Sequence, residues 1–424
     1  MTNNINWQAL HTQLSGLKKC SAALQGLRAL ASAQLESSLE ENDKASHNGQ
    51  ASNIKGIISE WGVKSDANLL VFVDGEYSAE ASSLSDNFTL SFGQKNNDDV
   101  TVLEDDKTKR FAHSIKTLMD ASECITIKVC AKHPSSNQHL IVFHCVTGAQ
   151  KCCRLGGQLQ LDQGCNLTVD AHLIDASTSP VLITHAIQTE VAQKATLQWS
   201  EQQTLKPTTI LLSQHQHTIA GTMMYHTMNL GEGRAEAHFQ GNLTGEAARC
   251  QAFGLLMGQG EADVVQHWHM AHLAPQATSD MHYRALMADR SQGAWLGHAH
   301  VSKQGEGADV TQMSRQILLS SQARMHAKPE LTILCDAVAC RHGATVGQID
   351  EKSLFYLRSR GIDVDQARLI LLWSFVQTIL TPLCHGKCFP QIKLLLRKQL
   401  MTMISTDRNK TLQPCLDFWE LDDD

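Results

Sequence analysis

The chain has 424 residues, enough for two or three domains and a sizeable core without disulfide staples. Lys and Arg number 36 against 43 Asp and Glu, a net charge of −7, which argues against a nucleic-acid or anionic-membrane partner. The longest apolar run, LILLWSFV, is too short to span a bilayer, and the amphipathic start has no signal-peptide core. The 13 cysteines are therefore read as free thiols of a cytoplasmic protein.

Residues 1 to about 60 carry a helical stripe, Leu10, Leu14, Leu17, Leu24, Leu27 and Leu30. NLLVFVDGEYS then reads as a strand ending in an Asp-Gly hairpin turn. KRFAHSIKTLMDAS reads as a further helix, closing a helical and mixed domain over 1–121.

From 122 to 345 the period changes to two. ITIKVC, LIVFHCV, QLQLDQGCNLTVDAHLI, ATLQWSEQ, AEAHFQGNL and DVVQHWHM alternate as strands. Glycines recur near their starts, at Gly164, Gly233, Gly245, Gly260 and Gly307. Strands spaced by ~12 to 15 residues fit a sandwich, a barrel or a β-solenoid. Mutual resemblance of the segments and the scarcity of bulky residues favour the solenoid, whose coils bury their inward faces against one another.

From 346 to 424 the pattern is helical. Asp350 is placed to cap EKSLFYLRSR and Gly361 to end it. Asp363 precedes VDQARLILLWSFVQTIL, which is apolar nearly all round and so needs burial or a partner. Pro390 opens a third helix, and an acidic tail holding Phe418 and Trp419 follows.

Candidate metal ligands come in small groups. If ELTILCDAVACRH is one strand, Asp336, Val338, Cys340 and His342 share a face and Cys335 lies on the other. Two ligands are too few for a closed site. The missing ones come from elsewhere in the fold or from another chain; the plainer alternative is a buried thiol beside a structural histidine. The pairs His215/His217, His267/His269 and His298/His300 are read as stacked polar positions on a solenoid face, since no nearby carboxylate or cysteine spacing supports a metal. Cys384, His385 and Cys388 form a lone C-x3-C in a helix connector, and adjacent Cys152 and Cys153 point to opposite faces. P-loop, dinucleotide-binding, G-x-S-x-G and H-E-x-x-H motifs do not occur, which leans toward a scaffold or binding role.

The stretch HGATVGQIDEKSLFYLRSRGID resembles the junction of solenoid and C-terminal helices in the SufB/SufD family of iron–sulfur cluster assembly scaffolds. LVFVDGEY and the long solenoid are similar to the same family, and chain length and LVFVDG favour its SufD branch. The span NGQASNIKGIISEWGV departs from it, lacking the family's Trp-Lys/Arg-Tyr/Thr-Thr-Pro-like motif.

The resemblance implies a mostly β fold: a right-handed parallel β-helix between an N-terminal helical or mixed region and C-terminal helices. It implies a non-catalytic subunit that pairs end to end with a SufB-like chain and carries a SufC-like ABC ATPase on its C-terminal helices. Leu354, Phe355, Tyr356, Leu369 and Trp373 are the expected docking residues. His342 and Cys340 match the family's ligand positions, as half of an interface site for a transient iron–sulfur cluster or for iron entry. The glycines beside them leave room for another chain's close approach.

A reduced flavin in the complex is left unspecified by the sequence, and an open solenoid end makes a homodimer in isolation a further expectation. Two other classes remain: a solenoid carbohydrate-active enzyme, which needs a ladder of paired carboxylates, and a stand-alone metal-binding protein using thiols and histidines.

Overall fold

The structure, a computed structural model, describes residues 61, 63, 67–86, 88–93, 124–129, 137–148, 152–380 and 388–404. The expected helices before residue 60 and near 109–122 lie outside the described residues, as do Cys384, His385 and the acidic tail.

Nineteen strands are described. They are β1 (Asn68–Val73), β2 (Glu76–Tyr77), β3 (Phe88–Gly93), β4 (Cys124–Val129), β5 (Asn137–Val146), β6 (Cys152–Leu161), β7 (Asn166–Asp175), β8 (Val181–Val191), β9 (Thr196–Leu205) and β10 (Thr209–Ile219). Then follow β11 (Thr222–Gly231), β12 (Arg234–Leu243), β13 (Arg249–Gly258), β14 (Asp263–His272), β15 (Thr278–Met287), β16 (Gln292–Val301), β17 (Asp309–Leu318), β18 (Arg324–Ile333) and β19 (Ala339–Gly347). Helices α1 (Glu351–Ser359), α2 (Val364–Leu380) and α3 (Phe389–Ile404) complete the order.

From β4 onward consecutive strands alternate between two sheets. One runs β19-β17-β15-β13-β11-β9-β7-β5-β1-β2 and the other β18-β16-β14-β12-β10-β8-β6-β4-β3. From β5 onward every ladder is parallel. This is the expected parallel solenoid, two strands to a coil. Alternation places one residue set of each strand in the lumen and the other on the outer face.

The expected Asp-Gly hairpin is present, with β1 and β2 antiparallel around Asp74 and Gly75. Yet β1 also pairs in parallel with β5, so the sheets reach back to Asn68 and the expected solenoid start at 122 falls inside them. The reason is that residues 68–73 are apolar on both faces, Leu70 and Phe72 joining the lumen core while Leu69, Val71 and Val73 pack in the outer cluster.

Left-handed corner residues recur at equivalent places before odd strands: Gly164, Lys194, Ala247, Gln276 and Gly307. Glycine was expected there; three coils hold side chains in the same conformation, at a cost of roughly 1 kcal/mol each. Their amides stack the coils, Ala247 donating to Pro275 O, Gln276 to Glu306 O and Gly307 to Ala337 O at 3.0, 2.8 and 2.6 Å.

The lumen is layered. Its early coils are aliphatic, with Leu159, Leu161, Leu167, Val169 and Ile183 buried. Around β8 to β11 it turns polar, burying His185, Glu201, His215 and His217, with His144 of β5 edge-on to His185. Beyond that, Phe239, Trp268, Tyr283 and Trp295 form a contiguous aromatic layer with centroid spacings of 5.6 to 6.2 Å. A Cβ on Gly254 would lie 2.5 Å from Tyr283 and 2.7 Å from Trp268, so this layer requires glycine there.

On the outer face of the odd-strand sheet, α2 and α3 bury Leu369, Leu372, Trp373, Val376, Ile392 and Leu396 against a cluster that includes Met228, Leu230, Leu255 and Leu286. The all-round apolar character of α2 is thus satisfied within the chain. Asp350 caps α1, its carboxylate accepting from Ser353 N at 3.0 Å. Gly361 ends it with φ 87°, and Ile362 N donates to Leu357 O.

Candidate functional site

The last coil is built from β18 and β19, which end their respective sheets; no further strand pairs with either among the described residues. Pro329 fits there because a free edge needs no amide donor at every position. With no coil beyond, lumen-side residues of this coil are only partly covered, whereas those one coil earlier are fully buried. Leu334 is 51% exposed, with Ile333 exposed beside it and Val346 exposed at the far end of β19. Such apolar side chains at an open sheet end are a surface that another chain can cover.

Cys340 and His342 lie on β19, paired in register with Val310 and Gln312. Those two partners are buried in the lumen, so Cys340 and His342 share the lumen side of the terminal coil. His342 is exposed; Cys340 is half-buried and packs against the end of the core. Burial, with help from Asp309 and Cys335 and against Arg341, raises the Cys340 thiol above its ordinary range. Arg341 on the opposite face donates to Asp309 Oδ1 at 2.7 Å and Thr311 Oγ1 at 3.1 Å, fixing the edge strand's register.

One expectation fails. ELTILCDAVACRH is not a single strand: β18 stops at Ile333, a corner occupies 334–338, and β19 starts at Ala339. Cys335 therefore does not lie opposite Cys340; both pack on the same core end. The apolar alternation of ILCDAV conceals the corner, which is closed by Val338 N donating to Asp336 O.

The small residues after His342 are unforced from within the chain. A Cβ at Gly343 would meet only Met313 Sδ at 3.4 Å, and one at Gly347 meets nothing. Neither glycine has positive φ.

The five expected docking residues separate. Leu354, Leu369 and Trp373 are buried within the chain, with Arg397 stacked over Trp373 at 5.4 Å; they are not contact surface. Sequence periodicity did not reveal that the sheet's own outer face takes Leu369 and Trp373. Phe355 and Tyr356 are 74% and 58% exposed on α1.

The histidine pairs also separate. His267, His269, His298 and His300 are on the outer side, with His269 and His298 rings 4.9 Å apart. Glu236, His238 and His267 cluster on that outer side, with the His238 and His267 rings stacked at 4.2 Å. His215 and His217 point into the lumen, where sequence reasoning did not expect a carboxylate to meet them. Glu201 does, its Oε1 3.2 Å from His185 Nδ1 and its Oε2 3.4 Å from His215 Nδ1. The three ligands stand half a coil apart in sequence, a signal that becomes readable only with the coil length known. Burial keeps His215 neutral, lowered to about 4, while the facing imidazoles and the Gln203 amide hold Glu201 below the carboxylate range despite burial. The described cysteines are free thiols, and no helix among the described residues is long and apolar enough to cross a membrane.

Residues 158–375 match the family described as SUF system FeS cluster assembly, SufBD core domain. Over 381 residues, covering 86% of this chain and 89% of the relative, the sequence is 25% identical to the iron–sulfur cluster assembly protein SufD of Escherichia coli. It is 31% identical over 153 residues to an iron–sulfur cluster assembly SufBD family protein of Synechocystis, 36% of this chain and 34% of that one. A Plasmodium berghei iron–sulfur cluster assembly protein SufD is 29% identical over 136 residues, 32% of this chain and 10% of that longer one.

Proposed function

We propose a scaffold role on the premise that the chain belongs to the SufBD family of iron–sulfur cluster assembly proteins, whose core domain matches residues 158–375, from β6 to α2. In this reading the chain is a non-catalytic subunit. It presents half of a cluster-building site and relies on a SufB-like chain for the rest and on a SufC-like ATPase for energy.

The observation that carries the reading is the unfinished last coil. Cys340 and His342 stand on the lumen side of an edge strand, bordered by exposed Ile333, Leu334 and Val346. A second solenoid docked end to end would cover these side chains and extend both sheets. It would also bring its own ligands opposite Cys340 and His342, completing the four that iron–sulfur species ordinarily need. Gly343 and Gly347 leave the partner's backbone room to approach.

His342 is the better ligand of the two, being exposed while Cys340 is half-buried against the end of the core. The cluster is cargo: it is built at the interface and passed on. Phe355 and Tyr356, exposed on α1 only a few residues beyond β19, form the ATPase contact. Movement of α1 would then act on the strand that carries His342.

Co-purification with a SufB-type chain tests the pairing. Leu334→Glu combined with Val346→Glu places charges on the open end without touching the core. Association should fall at least tenfold while the solenoid's circular dichroism is unchanged; undiminished association would refute end-to-end pairing.

A further inference from the structure

The polar layer of the lumen holds a group with the composition of a metal site, well away from the open end. His185 on β8, Glu201 on β9 and His215 on β10 come from three successive half-coils, and all three are buried. Their ligand atoms lie within 4.8 Å of one another. His185 Nδ1 is 3.2 Å from Glu201 Oε1 and 3.4 Å from His215 Nε2. Two of the three separations are close to the roughly 3.4 Å edge of a tetrahedral ion with bonds of about 2.1 Å, and the third is within 4.8 Å, so a small closure of the side chains brings His and carboxylate donors to the distances they take around zinc. Tyr225 Oη stands 3.3 Å from His215 Nδ1, the other nitrogen of that ring, and so orients the imidazole.

Hydrogen bonding inside the chain does not exhaust this group. His185 Nε2 has no hydrogen-bond partner, and Glu201 Oε2 makes no aligned hydrogen bond. Among the described residues Glu201 has no Lys or Arg ion-pair partner; its contacts are imidazoles, the Gln203 amide and Tyr225. A fully buried carboxylate is costly unless a cation or several hydrogen bonds join it. Gln203 donates to Glu201 Oε1, so a neighbouring side chain orients the carboxylate.

We propose that His185, Glu201 and His215 bind one divalent transition-metal ion, zinc(II) or iron(II), inside the solenoid. Two imidazoles and one carboxylate suit either ion, and softer thiolate ligands are absent from the group. The aromatic layer of Phe239, Trp268, Tyr283 and Trp295 separates this ion from the terminal half-site. Its role is to cross-link three strands of two facing sheets at the level where the lumen loses its aliphatic packing.

Metal analysis of the full-length chain, purified anaerobically and dialysed against a chelator, tests the site. Cells supplemented with zinc or with iron provide the two arms and tell which ion is held. About one ion per chain should remain in one arm, and Glu201→Gln should lower it at least tenfold. His342→Ala should leave the lumen ion in place. X-ray absorption on the unmodified chain gives a readout independent of variant folding: a nitrogen and oxygen shell with imidazole outer-shell scattering is expected. Retention of less than a tenth of an ion per chain in both arms, a sulfur-containing shell, or full retention in a folded Glu201→Gln variant would overturn the proposal.

Discussion

His342 stands in register with Gln312 on the neighbouring strand, yet Gln312 is wholly buried and His342 is exposed. The same lumen-facing position changes from core to surface in one coil. Gln312 donates to Glu330 O at 3.0 Å across the lumen, so the last covered coil is pinned to the edge coil that carries His342. An unfinished solenoid, rather than a special local motif, is what makes His342 available.

If the small residues beside His342 serve approach by a partner, filling them should harm association and not folding. Gly343→Leu has room, with Met313 Sδ the nearest atom at 3.4 Å from a Cβ. Its melting temperature should stay within ~2 °C of the parent, since surface changes usually fall within about 0.5 kcal/mol. Binding to a SufB-type chain, read by calorimetry, should weaken; unchanged binding would remove the steric explanation.

Docking of the ATPase should depend on Phe355 and Tyr356 but not on Trp373. The double variant Phe355→Ala, Tyr356→Ala should lose ATPase co-purification with no change in thermal stability. Trp373→Ala, by contrast, empties a buried position on α2 and should cost about 3 to 5 kcal/mol of stability. Denaturant titration beside pull-down separates the two effects. ATPase retention by the double variant would argue for another contact surface.

Gly254→Val should be among the most damaging single changes in the lumen. Its Cβ would collide with Tyr283 and Trp268, and overpacking a closed layer costs typically about 1 to 3 kcal/mol. The measurement is the denaturant midpoint. A midpoint equal to that of the parent would mean the aromatic layer can part.

Acid should destabilise the fold earlier than a typical β-solenoid surface would suggest. Burial lowers His226 from 6.5 to about 3 and His272 from 6.5 to about 4. The unfolded chain takes up these protons near pH 6.5 and the folded chain only well below it. Stability from these groups is therefore complete above pH 6.5 and is lost as pH falls from there toward 4. His226 stacks on Phe253 with centroids 4.7 Å apart. The variant His226→Phe keeps a ring in that stack and should flatten the loss between pH 6.5 and 4, read as denaturant midpoint against pH. An unaltered slope would place the titration elsewhere.

Much of the fold was readable because solenoid strands report their facing through period two. Asp350, Gly361 and the Asp-Gly hairpin were readable because caps and turns are local chemistry. The corner at 334–338 was not, since its apolar residues continue the strand's alternation while the backbone turns. Nor was the burial of Leu369 and Trp373, because an all-round apolar helix does not say whether its cover comes from the same chain. Cys340 and His342 could be singled out as ligands too few for a site. Their exposure follows only from the absence of a further coil, which is a property of the whole stack. The meeting of Glu201 with His185 and His215 depends on coil length and so stayed hidden in a search for close sequence spacing.

The central claim is that His342 supplies a ligand to a cluster site completed by a partner. Its most direct test is anaerobic cluster reconstitution on a co-purified complex of this chain with a SufB-type chain and a SufC-type ATPase, the proposed partners, comparing parent and His342→Ala. Iron and acid-labile sulfide per complex are the readout, with circular dichroism as the folding control. The account predicts an intact complex whose cluster content falls at least fivefold. An intact variant complex that carries the parent's iron and sulfide would contradict it.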